Sequence, residues 1–208
     1  MTQADLIRNY FFMRIHVDKQ EEVYSLYWHP MQEELDEDLT EFIRHFLMRN
    51  GVFVNKGDVY FTLKDRVSDR DALDALKEIA FFAKHYQKLL NPSLEKNQEL
   101  HKALTRLNRL EVTTTYPFLL NCYDDYINDK ISADEFTDII KTLENFVVRR
   151  FVCNVPTNQL NKIFPVLYGQ AQLQNSSNLA QGIKTILQSR NYPKDAEFRT
   201  RLMESKLY

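Results

Sequence analysis

Glycine and proline are scarce, with four and six in 208 residues, so little of the chain suits tight hairpin turns. Nor is there a GxGxxG, GxxxxGKS or GxSxG pattern from which a phosphate-cradling loop is built. Cysteine is scarcer still. Cys122 and Cys153 lack CxxC spacing, which argues against a disulfide framework and fits a reducing, cytoplasmic setting, with both thiols expected in the core. No stretch approaches the roughly 18 apolar residues that cross a bilayer. Met1 to Asp18 carries Asp5, Arg8, Asn9 and Arg14 inside its hydrophobic pattern and lacks the order of a signal peptide. A basic excess is missing too. Lys and Arg total 27 against 29 Asp and Glu, a net charge of -2, so attraction to nucleic acid or membrane has to be local. The five histidines form no HxxxH or HExxH pair, so no zinc is expected. His29 with Glu33 and His101 with Glu99 read as surface pairs.

Apolar residues and aromatics are plentiful: 44% of the chain is hydrophobic, with 14 Phe and 11 Tyr. A chain of this length and composition buries a core without staples. Its apolar residues recur at three and four rather than at two, which predicts an all-α fold, an irregular multi-helix bundle of about nine or ten helices. We expect a single helical domain over 1–208, with a subdivision allowed near 91–115. Asp18 with Glu21 and Ser132 with Glu135 mark helix starts, and Thr2, Ser68, Ser93, Thr157, Ser177 and Asp195 are further expected caps. Breaks are expected near Pro30, Gly51, Pro92, Pro117, Pro156 and Pro193. Val52 to Phe61 permits a hairpin, but its runs are short for strands, so a loop followed by a short helix is preferred. Gln170 to Asn178, polar and poor in apolar groups, reads as a flexible loop.

Two helical faces single out residues. From Asp69 to Leu90, Leu73, Leu76, Ile79, Ala80, Ala83, Tyr86 and Leu90 share a wide face, while Phe82 points away from its centre, as expected of a central helix. Phe81 falls among Lys77, Glu78, Lys84 and Lys88, either covered by a neighbouring loop or placed to contact a partner. From Ala133 to Phe151, Phe136, Ile139, Ile140, Leu143, Phe146, Val147 and Phe151 form a clean stripe. Arg150 projects into it, and Arg149 projects to the polar side. A buried Arg150 needs carbonyls of a helix C-terminus or a carboxylate; the alternative is that the pair faces phosphate or an adjoining domain. The acidic run Glu33 to Glu41 reads as a solvated connector, and Lys96, Lys102, Arg106 and Arg109 as an ordinary helix surface.

The order of several motifs resembles the middle region of GmrSD-type modification-dependent restriction endonucleases. They are Ala4-Asp5-Leu6-Ile7-Arg8-Asn9-Tyr10-Phe11, Tyr27-Trp28, Tyr116-Pro117-Phe118-Leu119-Leu120, Leu143 to Cys153, Thr157-Asn158-Gln159-Leu160-Asn161-Lys162-Ile163-Phe164, and Pro193 to Phe198. The resemblance implies an internal, non-catalytic helical connector between a ParB/sulfiredoxin-like NTPase domain and a His-Asn-His nuclease domain. Nucleotide hydrolysis would then be coupled to cleavage of modified foreign DNA. No catalytic, cofactor-binding or metal-binding residue is expected in this chain, and nucleotide and divalent metal belong to the missing domains. Those domains are the implied partners, with DNA reached through the intact parent and no membrane contact. Asn9, Phe81, Arg149, Arg150 and Asn158 are the expected structural or interdomain residues. The competing readings are a free-standing helical protein-protein adaptor and a nucleic-acid clamp on Arg149, Arg150 and the Lys96 to Arg109 stretch.

Overall fold

The structure, a computed structural model, describes residues 2–175 and 178–204. Among these the chain is all-α, with twelve α-helical segments and no strand. It divides into two compact units, Met1–Asn91 and Pro92–Tyr208. The break falls at the first residue of the 91–115 window. Pro92 disfavours helical geometry in the residue before it, and Asn91 accordingly leaves the helix at φ -125 and ψ 87.

The first unit holds α1 (Gln3–Phe12), α2 (Val17–Val23), α3 (His29–Leu35), α4 (Leu39–Met48), α5 (Val59–Val67) and α6 (Ala72–Leu90). The start of α1 is fixed by a reciprocal cap: Thr2 Oγ1 accepts from the Asp5 N–H at 3.1 Å, and the Asp5 carboxylate accepts from the Thr2 N–H at 2.8 Å. These bonds from Thr2 hold the Asp5 pKa below its ordinary value. Asp18 is not a cap. His16 takes that position, and α2 begins one residue before Asp18, which supplies negative charge to the first turn instead.

Pro30 does not break the chain where the sequence suggests. A π turn, Tyr24–Trp28, carries α2 into α3, and the His29 N–H donates to the Tyr24 carbonyl five residues back. Proline lacks an N–H and its ring collides with the carbonyl four residues earlier, so widening the turn just before Pro30 lets the helix run on. Val52 to Phe61 is a loop, a 3-10 turn at Lys56–Asp58 and the start of α5, as preferred over a hairpin. The Asp71 carboxylate accepts from Asp74 N at 3.0 Å and starts α6. That helix is buried on more than one side: Phe82 is 4% exposed against Phe46, their centroids 5.5 Å apart, although it lies off the main apolar face.

The second unit holds α7 (Gln98–Asn108), α8 (Tyr116–Ile127), α9 (Ala133–Val152), α10 (Leu160–Gln174), α11 (Leu179–Gln188) and α12 (Asp195–Glu204). Asn97, Ser132 and Asn178 cap α7, α9 and α11 through side-chain oxygens. Ser68 follows α5 and bonds back to the Asp65 carbonyl, Ser93 and Thr157 lie within 3-10 turns, and Asp195 is the first residue of α12. Ser177 lies outside the described residues. Pro117 stands at the start of α8 rather than at a break, where its missing N–H has no helical partner to lose. The stripe of α9 is buried from Phe136 to Val147, with Phe136 edge-on to Tyr123 at 4.9 Å. Phe151 is the exception at 69% exposure, although Arg150 and Val152 on either side of it are buried.

Residues 170–174 are helical, not a loop. Leu167 and Ala171 bury one face of α10 against α11, and burial of that face outweighs the polar composition around it. The contact is close: a Cβ on Gly182 would lie 2.6 Å from the Ala171 carbonyl oxygen. Among the described residues no helix is long and apolar enough to cross a membrane.

Gly182→Ala is therefore expected to lower stability by about 1–3 kcal/mol, since backbone must move to admit the methyl. Gly169, in α10, is the control, because a Cβ added there would meet nothing within 4 Å. Gly169→Ala should be neutral or stabilise by up to about 1 kcal/mol through helix propensity. Urea denaturation of the two variants separates the outcomes.

Candidate functional site

In the first unit, Phe81 on α6 is 37% exposed and borders a groove of about 180 Å³ with Leu26, Tyr27, Pro30 and Met31. The π turn puts Leu26 at the groove, itself 58% exposed. Phe81 is neither a loop-covered side chain nor an isolated one. Its ring meets His85 edge-on at 4.6 Å and Phe82 at 5.3 Å, so its orientation is fixed while its outer face stays open. Lys77 and Lys84, four before and three after Phe81, lie on the same side of α6, and Glu34 of α3 stands opposite among the lining residues. Asn9 does not join this groove. It is exposed on α1 and lines a separate depression with Arg8, Phe12, Gln20, Glu21 and Tyr24.

In the second unit, Arg150 is 1% exposed, and its guanidinium is spent on backbone. Nη2 donates to the Pro156 carbonyl at 2.6 Å, and Nη1 donates to the carbonyls of Arg190 at 3.0 Å and Asn191 at 3.4 Å. Phe146 lies under the guanidinium at 5.2 Å. Burial lowers its pKa. All three partners are carbonyls, those of Arg190 and Asn191 just beyond the end of α11, and no carboxylate is needed. Arg149 is less open than its polar-side projection suggests, its side chain 17% exposed. It donates to Asn145 Oδ1 at 2.8 Å, the Pro193 carbonyl at 3.0 Å and Asp195 Oδ1 at 2.5 Å, and lies over Phe198 at 4.9 Å. Tyr192 OH also donates to Asn145. Both arginines therefore bind the 190–195 segment to α9. Asn158, exposed in the Thr157–Gln159 turn, is not drawn into that cluster by any hydrogen bond among the described contacts.

The basic stretch on α7 is divided between acids: Lys102 pairs with Glu99 at 2.8 Å and Arg106 with Glu144 at 3.1 Å. His29 pairs with Glu33 as expected, but His101 does not pair with Glu99; its Nδ1 meets the Pro92 carbonyl at 2.7 Å. Both cysteines are buried and unbridged. Burial, then the charge of Asp125, pushes the Cys122 thiol far above its ordinary pKa. Among the described residues no three His, Cys, Asp or Glu side chains come together as a metal site.

Buried polar groups off the apolar stripes are invisible to periodicity. His45 is 1% exposed, with Nδ1 3.0 Å from Tyr86 OH and Nε2 3.2 Å from Arg44 Nη2. Arg44 can only donate, so the neutral imidazole accepts at Nε2 and donates Nδ1–H to the Tyr86 oxygen. Arg44 is itself held by Glu41 at 2.5 Å. Elsewhere Tyr168 OH donates to the buried Asp125 at 2.6 Å, and Tyr123 OH donates to the buried Glu95 at 3.1 Å. Burial, first, and these carboxylates raise both phenol pKa values, so each tyrosine braces its unit as a hydrogen donor. No protein-family model, curated protein or solved structure matches the chain.

Arg150→Ala leaves buried carbonyls without donors and should cost about 2–3 kcal/mol, while Arg149→Ala, losing a partly exposed pair, should cost about 1 kcal/mol. Urea midpoints of the two variants test the difference.

Acidification should act through His45. Burial, opposed by Glu41 and aided by Arg44 and Lys56, lowers its pKa from 6.5 to about 4. The unfolded chain therefore binds the proton first as pH falls, and stability drops between pH 6.5 and 4 by about 3 kcal/mol from this group. His45→Gln should flatten that part of a stability-against-pH curve, measured by urea denaturation at several pH values.

Proposed function

We propose that this chain acts through protein contact, as the non-catalytic helical connector of a GmrSD-type restriction nuclease, the role its motif order implies. What supports contact as its mode of action is the groove at Phe81: an oriented aromatic with one open face, set between Lys77 and Lys84 and beside an exposed Leu26. The arginine pair on α9 favours the connector over the nucleic-acid clamp, because Arg149 and Arg150 are engaged by carbonyls, Asn145 and Asp195. In this reading the groove receives an adjoining domain, and nucleotide and metal are held by the domains at either side. A free-standing adaptor would use the same groove for a separate protein. The reading frame of the parent gene distinguishes the two, since only the connector requires NTPase and His-Asn-His coding sequence joined to this one.

In the intact parent, Lys77→Glu and Lys84→Glu, both at the groove, should uncouple nucleotide hydrolysis from cleavage of modified DNA while leaving the fold unchanged. Paired hydrolysis and cleavage assays, with circular dichroism as the folding control, measure this. Coupling equal to the parent's in both variants would remove the groove from the route between domains.

A further inference from the structure

Asn9 is singled out by its sequence motif, but it lies outside the groove at Phe81. It lines instead the depression of about 340 Å³ between α1 and the segment that runs from α2 into the π turn. One wall is Arg8, Asn9 and Phe12 of α1; the other is Gln20 and Glu21 of α2 with Tyr24. The walls are fastened to each other. Gln20 Nε2 donates to the carbonyls of Phe12 at 2.7 Å and Ile15 at 3.0 Å, and the Phe12 and Tyr24 rings meet at 63° with centroids 6.0 Å apart. Tyr24 is in turn stacked on His29 at 5.6 Å, so this aromatic corner is oriented before anything binds.

The charged groups at the depression are uncommitted. Among the described residues Arg8 is paired only with Asp5, at 3.7 Å, beyond hydrogen-bond reach, and the other Asp5 oxygen accepts from the Thr2 N–H and hydroxyl. The side chains of Asn9 and Glu21 make no hydrogen bond or ion pair among the described residues. Arg8 and Glu21 therefore border one depression with opposite charges and form no ion pair with each other.

A cation and an anion left apart beside an apolar corner select a ligand that carries both charges. We propose that this depression binds a free α-amino acid with a large apolar side chain, its carboxylate on Arg8, its ammonium on Glu21 and its side chain against Phe12 and Tyr24. The planar guanidinium fork suits a carboxylate, and a carboxylate such as Glu21 accepts from the three N–H groups of an ammonium. The Asn9 amide offers both a donor and an acceptor at the rim. A phosphate or dicarboxylate would meet Glu21 with like charge, and a polyamine would meet Arg8 so. The volume lies at the lower end of the roughly 300–1,000 Å³ of ligand pockets, which suits a small molecule. This site is independent of the connector reading.

The test is calorimetric titration of the full chain with L-phenylalanine, L-leucine, phenethylamine and 3-phenylpropanoate. The two amino acids should bind saturably. Phenethylamine lacks the carboxylate and 3-phenylpropanoate the ammonium, and each should bind about tenfold or more weakly than L-phenylalanine. Arg8→Gln and Glu21→Gln, with circular dichroism as the folding control, should each weaken L-phenylalanine binding by about tenfold, while Arg8→Gln leaves the binding of phenethylamine unchanged. Tighter binding of L-phenylalanine assigns the corner to aromatic side chains, and tighter binding of L-leucine assigns it to aliphatic ones. Absence of saturable binding by both amino acids, equal affinity for either single-charge analogue, or full affinity in either variant would overturn the assignment.

Discussion

An all-helical chain must satisfy the last carbonyls of every helix, and this one does so with almost no glycine. Glycine is the usual residue for the left-handed turn that closes a helix. Here only Gly51, at φ 88, takes a positive φ as glycine, whereas Asp36, Glu111, Asp129, Asn154 and Asn191 adopt positive φ at helix ends or in the turns that follow them. Arginine supplies further donors. Arg14 binds the carbonyl of Val67, the last residue of α5, and those of Ser68 and Arg70 just after it, while Arg150 binds that of Arg190 just after α11 and the loop carbonyl of Pro156, and Arg44 the loop carbonyl of Val54. A guanidinium can serve several carbonyls at once because it carries five donors in a fixed plane.

That use of arginine decides which cations remain for anything else. Arg149 and Arg150 look adjacent and available in sequence, yet each is committed to joining 190–195 to α9. On α7, Lys102 and Arg106 are answered by Glu99 and Glu144. At Glu78 two arginines, Arg49 and Arg70, share one carboxylate, each on its own oxygen.

The helical class, the α9 stripe, the Ser132 cap and the burial of Arg150 are legible in the sequence because each depends on spacing within one segment. The π turn is not, since it answers a collision between Pro30 and a carbonyl, which a composition-based break signal cannot distinguish from a helix end. Residues 170–174 escape a local reading for a related reason: their polarity is visible, but the approach of Gly182 to Ala171 that makes a helix worthwhile there is a tertiary fact. Phe81 is legible as an apolar residue on a charged side. The groove beside it, the His45–Tyr86 bond and the arginine cluster join segments distant in sequence, and no local pattern announces them.

These three features share α6. Glu78 gathers the arginines, Phe81 borders the groove, and Tyr86 holds His45, all along one helix of 19 residues. A ligand at one point can shift the position of another only if α6 has two placements of similar energy that the ligand binds unequally. The packing of α6 opposes that. Phe82 and Tyr86 are buried against Phe46 and Phe42, with ring centroids 5.5 and 5.1 Å apart, and sliding the helix would break these contacts together with the His45 bond.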